Sequence, residues 1–216
     1  MKSGKAPLPL LCLLIGMLFG CSNLYYGAME KIGVHKREIM VDRVEAARDA
    51  QLEAKDQFLT AMEQFRSVVA FQGGELEKEY NRLNRTLQET EAKAEAVSDR
   101  IDAVEDVSVA LFEEWRAEID QYASSDLKQA SRRKYRAMQS RYEELIQAMR
   151  RAEAKLDPAL VPLRDQVLYL KHNLNARAIA GLSDEAVSIQ ANVDTLVRDM
   201  ERAIAEADAF IASLQD

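Results

Sequence analysis

The sequence predicts an all-α protein, an elongated antiparallel bundle of about four long helices with coiled-coil-like packing. Apolar residues recur at alternating steps of three and four along most of the chain, the spacing of a helical seam. Period-two alternation appears nowhere for a useful length, so strands are not supported. Only 8 Gly and 4 Pro occur in 216 residues, too few for a turn-rich β architecture.

The first element is a targeting segment. Lys2 and Lys5 form a short positive start, and Leu8 to Phe19 is an apolar run. A dozen residues fall short of the roughly 20 needed to cross a bilayer and match the core of a secretory signal. The run ends in Leu18-Phe19-Gly20-Cys21, which resembles a bacterial lipobox. A thiol is needed there to form a thioether to diacylglycerol, and a small residue must precede it in the peptidase pocket. Phe19 departs from the small or β-branched residue usual at its position. The expected division is a lipoprotein signal peptide over 1–20 and a single helical domain over 21–216. Cleavage removes Lys2 and Lys5 and leaves 27 basic against 36 acidic residues, a net charge of −9.

Four helices are expected after it, near 25–71, 75–123, 126–178 and 184–214. The first carries Val44, Ala47, Gln51, Ala54, Phe58, Ala61, Phe65 and Val68 on one seam, with Gln51 the polar intruder. Gln72-Gly73-Gly74 closes it, since paired Gly is costly inside a helix and favourable just after one. The second repeats the rule from Leu76 through Leu87, Thr90, Val97, Ile101 and Ser108 to Trp115. Ser124-Ser125-Asp126 forms the next corner, with Asp126 and Gln129 as a capping-box variant. That corner has no Gly or Pro, which leaves one very long helix as the alternative. In the third, Tyr135, Met138, Tyr142, Leu145, Met149, Ala152 and Leu156 continue the seam. Pro158 and Pro162 are expected to kink or restart it. Gly181-Leu182-Ser183 introduces the fourth, whose seam runs Ile189, Val193, Leu196, Met200, Ala203, Ala207, Phe210 and Leu214. Three helices near 50 residues are about 70 Å long. The fourth is shorter, so part of the longer stripes should seek a second copy or a partner helix.

The residues offer little for catalysis. The net charge of −7 and pI near 5.1 argue against nucleic-acid binding, which needs a basic surface. There is no Walker-type loop, and neither His35 nor His172 follows a Glu by three residues as a di-iron bundle requires. No nucleophile elbow accompanies either His. The expectation is no enzyme, no metal and no cofactor. Glu113-Glu114, Glu143-Glu144 and the basic run Arg132-Arg133-Lys134 with Arg136 read as solvated faces, and Trp115 as seam packing.

The N-terminal region carries the functional expectations. Cys21 is the lipidation site, and two or more acyl chains make a stable anchor. Ser22 is not the Asp of an inner-membrane retention signal, which points to the outer membrane and a body in the periplasm. Tyr25, Tyr26, Lys31, His35, Lys36 and Arg37 follow the anchor closely, an aromatic and basic set suited to lipid headgroups. The same stretch, Tyr25-Tyr26-Gly27-Ala28-Met29-Glu30-Lys31-Ile32-Gly33-Val34-His35-Lys36-Arg37, continuing through Val41-Asp42-Arg43-Val44 to Gln64-Phe65, resembles the DUF2959 family. These are bacterial proteins of unknown function, often with a signal or lipoprotein leader. The resemblance extends over nearly the whole mature chain, implies no activity and brings no catalytic residues. The reading is therefore a membrane-anchored helical lipoprotein at the cell envelope. It acts as a structural or interaction scaffold for an envelope protein or a second copy. The alternative is a module holding a lipid or apolar ligand between helices, beside seam alanines such as Ala47, Ala54 and Ala61.

Overall fold

The computed structural model describes residues 35–71, 75–175, 179 and 181–215. Their helices are α1 (Lys36–Val69), α2 (Leu76–Gln121), α3 (Ser125–Glu153), α4 (Leu156–His172) and α5 (Ser183–Gln215). No strand occurs among the described residues. The expected all-α bundle is the observed one, with α3 and α4 forming one broken rod.

Sequence order becomes spatial order. Helix α2 packs on α1 and on the α3–α4 rod, and α5 closes the ring between that rod and α1. Cross-links show that neighbours run antiparallel. Lys36 pairs with Glu114 at 3.0 Å, while Glu53, further along α1, meets Lys93, further back on α2. Arg48 reaches Asp208 at 3.1 Å and Lys55 reaches Glu201 at 3.6 Å, fixing α1 against α5. Arg150 meets Glu105 and Arg164 meets Glu91, fixing the rod against α2. Short corners and similar lengths favour this up-down arrangement.

The seams are the core. The seven apolar seam positions from Val44 to Val68 on α1 and all eight from Ile189 to Leu214 on α5 are buried in one continuous apolar cluster, and the eighth α1 position, Gln51, is buried too. Helix α2 buries Leu83 through Leu111 by the same spacing, whereas its ends, Leu76, Tyr80 and Trp115, are only half-buried.

Two corners differ from expectation. The chain leaves helix at Tyr122 and re-enters at Ser125, so no single long helix forms. Ser124, not Asp126, is the N-cap, and its hydroxyl accepts from the Leu127 N–H at 3.4 Å. Its extended backbone (φ −77°, ψ 121°) supplies the geometry a cap needs. The expected third helix does not run unbroken from 126 to 178, since it is interrupted at Ala154–Lys155, ahead of both prolines. Pro158 has no N–H for the carbonyl of Ala154, and its ring would collide with that carbonyl in a continuous helix. The break moves Pro158 into the first turn of α4, where no donor is required. Pro162 stays inside α4 and leaves the Pro158 carbonyl without its usual partner. Asn192 of α5 replaces it, its Nδ2 donating to that carbonyl at 3.0 Å.

The expected Gly73-Gly74 corner lies outside the described residues. Gly181 sits in the turn before α5 as anticipated.

Gln51 is fully buried and neither polar atom of its amide has a hydrogen-bond partner. An unpartnered buried amide costs about 1–3 kcal/mol. Gln51→Leu, close in volume, should raise unfolding free energy by about 1–2 kcal/mol in urea titrations followed by circular dichroism. A destabilised Leu variant would show that the amide does have a partner.

Candidate functional site

Among the described residues the helices do not end together, and the site lies at that mismatch. Lys36, the first residue of α1, already faces Glu114, yet α2 continues to Gln121. Helix α5 arrives at the same level with Ser213 and Leu214. Beyond these ends α2 and α3 proceed as a pair, joined by the 122–124 turn. Aromatic rings hold the pair together. Phe112 meets Tyr135 and Tyr142 edge-on at 5.6 and 5.5 Å, and Trp115 meets Tyr135 at 5.7 Å. Polar contacts flank them. Trp115 Nε1 donates to Ser131 Oγ at 3.0 Å, and Arg116 donates to the Tyr135 hydroxyl at 3.2 Å.

A groove of about 880 Å³ opens where α1 and α5 stop against this hairpin. Leu111 and Trp115 of α2, Ala137 and Met138 of α3 and Leu214 of α5 give it apolar walls. Lys36, Arg37, Lys134 and Arg141 supply its cations, and His35, Glu114 and Glu118 complete the polar lining. A smaller space of about 330 Å³ beside it, between α3 and α5, shares Arg141 and Ser213. Apolar walls below a mainly cationic rim suit an amphiphilic anion or an amphipathic peptide.

Three of the headgroup candidates, His35, Lys36 and Arg37, line this groove. Lys36 is the most enclosed, with a side chain 11% exposed and Nζ on Glu114. Cys21, Tyr25, Tyr26 and Lys31 lie outside the described residues. Sequence reasoning missed Lys134, Arg141 and Glu118 as site residues. The first two are one heptad apart beside Met138, a signal visible only once the groove itself is known. The face from Arg132 to Arg136 is exposed as expected, and Trp115 packs at the seam edge while also bounding the groove.

Among the described residues no three His, Cys, Asp or Glu side chains gather as metal ligands. The densest charge cluster lies elsewhere and is structural: Arg150 contacts Asp102 at 2.6 Å, Glu153 at 2.7 Å and both oxygens of Glu105. Those carboxylates, Glu105 first, raise the guanidinium's proton affinity further and clamp α3 to α2. At the hairpin, Lys128 and then Arg132 lower the Asp120 pKa below the ordinary carboxylate value. Hydrogen bonding to Tyr135 raises that of Arg116.

A family model described as "Protein of unknown function (DUF2959)" matches residues 25–214. The chain belongs to the DUF2959 family. No curated protein matches the chain. The DUF2959 span contains every groove-lining residue, from His35 to Leu214. It begins four residues beyond Cys21, so membership bears on the bundle and not on the leader.

Tyr142 gives this end of the DUF2959 bundle a pH signature. Burial raises its pKa above the ordinary 10.0, because the phenolate would be desolvated between Phe112 and Phe210. A folded pKa above the unfolded one leaves stability intact below the unfolded pKa, and stability falls as pH rises through the folded one. Urea midpoints should therefore drop above pH 10, and Tyr142→Phe should shrink that drop. An unchanged alkaline slope in the Phe variant would assign it to other groups.

Proposed function

We propose that this protein is a lipid-anchored helical arm whose output is binding, a scaffold at the cell envelope held by Cys21. One observation carries the reading: the groove lies at the bundle end where the chain emerges from the lipobox-like segment. Only residues 22–34 separate Cys21 from His35 at the groove rim. An anchored Cys21 therefore keeps the groove within about 45 Å of the bilayer, the reach of fourteen extended residue steps, while the 46 residues of α2 project the far end about 70 Å further. No helix among the described residues is long and apolar enough to cross a membrane, so the leader is the candidate means of attachment. With Ser22 after the Cys, the expected site is the outer membrane, facing the periplasm.

The scaffold reading needs surfaces for a partner, and the arm offers them. Leu52 and Leu59 are exposed one heptad apart on α1, as are Val161 and Leu168 on α4. Such pairs are where a partner helix or a second copy would lie. A confined arm meets membrane-bound partners at raised effective concentration, without any new contact.

The groove favours a second reading as well. Its apolar walls and size suit one lipid chain or a similar ligand, with Arg37, Lys134 and Arg141 toward an anionic head. Native mass spectrometry of protein purified from its own cells separates the two: a retained amphiphile supports the ligand site, and bare protein supports the scaffold.

The anchor is tested by Cys21→Ala. Acyl labelling should vanish and the protein should leave the membrane fraction, with its helical circular dichroism unchanged. Undiminished membrane attachment and labelling in that variant would refute the anchor. Full complementation of a deletion strain by an untethered periplasmic form would refute the arm, because location would then carry none of the function.

A further inference from the structure

We infer that the α2–α3 hairpin tip and the first half of α3 are a docking surface for an anionic phospholipid bilayer. This deepens the anchored-arm reading and rests on it for the placing of the bilayer at this end. Docking gives the arm a second attachment point beside its lipid.

The first observation is charge. Residues 125–141 hold six cations, Lys128, Arg132, Arg133, Lys134, Arg136 and Arg141, against one acid, Asp126, in a chain of net charge −7. Local pairing uses up two of them. Lys128 and Arg132 both bind Asp120, at 3.0 and 3.5 Å. The remaining four are exposed, and each lacks a carboxylate within ion-pair distance among the described residues. Like charges crowded within three helical turns repel one another, and an anionic surface removes that repulsion.

The second observation is apolar. Tyr122 and Leu127, on either side of the turn, are 43% and 57% exposed. In water about half of each stays uncovered. In a headgroup layer a tyrosine ring and a leucine side chain find the amphipathic and apolar environments they prefer. With the hairpin lying tilted on the surface, the unpaired cations, about 9–21 Å further along α3, reach the phosphates. An acidic protein would satisfy the cations equally. The exposed pair at the tip, at the end of the bundle where α1 begins, selects the lipid surface instead.

Each cation near an anionic leaflet contributes attraction that fades within a Debye length, about 8–10 Å, so docking requires near contact and weakens in salt. Trp115 is the sole Trp of the chain and stands at the hairpin base, which makes it a natural distance probe.

The test uses the full lipidated chain reconstituted in phosphatidylcholine vesicles, with and without phosphatidylglycerol. Energy transfer from Trp115 to a dansyl-labelled headgroup is the readout. Transfer should rise with phosphatidylglycerol and fall back in high salt. The exposed quadruple variant Arg133→Gln, Lys134→Gln, Arg136→Gln, Arg141→Gln should lose the rise while still floating with the vesicles and keeping its helical signal. The matching all-lysine variant, which preserves charge, should keep it. Equal transfer on neutral and anionic vesicles, or a rise that survives the glutamine variant, overturns docking. Failure to float defeats the anchor alone. In that case the same chain added to vesicles still decides: salt-sensitive binding to phosphatidylglycerol, weakened roughly tenfold or more in the glutamine variant, supports docking, and no such binding overturns it.

Discussion

Each helix of this bundle has one apolar stripe, and the stripe must be covered on both flanks; the rest of the structure follows from that constraint. Alanines at Ala47, Ala54 and Ala61 on α1, and at Ala203 and Ala207 on α5, are fully buried, and side chains this small let backbones approach closely. Covering the stripes in sequence order closes a ring and fixes the register of every pair. Register then determines where each helix stops relative to its neighbours. The groove and the protruding hairpin are products of that register, not of any local motif.

Polar groups inside the seam show how a narrow core tolerates them. Thr90 donates to the Thr86 carbonyl at 2.7 Å, and Ser108 donates to the Glu105 carbonyl at 2.7 Å. A hydroxyl can turn back on its own helix, so these residues are buried without an orphaned donor. The longer amide of Gln51 has no such return path and stays unpartnered. An amide at one seam position restricts which registers are tolerable, a role better attested for such residues than ligand binding. Arg150 does related work from the edge, because its carboxylates come from both α2 and α3 and only one alignment brings them together.

The fold was largely legible because a seam is a local pattern repeated many times. Every expected α5 seam residue is buried, and one misplaced residue among eight would not have altered the reading. Corners depend on single interactions and were less legible. The Ser124 cap competes with Asp126 two residues later, and spacing alone does not rank a serine above an aspartate. The interruption at Ala154–Lys155 belongs to Pro158 but lies a full turn before it, since proline acts on the carbonyl four residues back. The groove was illegible for a different reason. Lys134 and Arg141 come from α3, Arg37 from α1 and Leu214 from α5, and no periodicity within one helix reports what stands opposite. Exposed Arg133 and Arg136 look like ordinary solvated charge until the structure shows them unpaired on the hairpin that also carries Tyr122 and Leu127.

A single flexible attachment would leave an arm of this length free to sweep a hemisphere above its anchor. Partners could then be met at any height up to about 70 Å, and the arm would set only a maximum distance. Orientation requires a second contact near the first. The hairpin can supply one because α2 and α3 run past the start of α1, so the part of the bundle nearest the chain's entry is also the part that protrudes. Shortening α2 and α3 to match α1 would cover the same stripes and preserve the core, yet it would remove both the groove walls and the tip. Among the described residues, the overhang adds little to the main core and offers its exposed end for contact. The family match encloses the whole overhang while excluding Cys21, so the proposed contact surfaces lie within the matched bundle and the proposed anchor lies outside it.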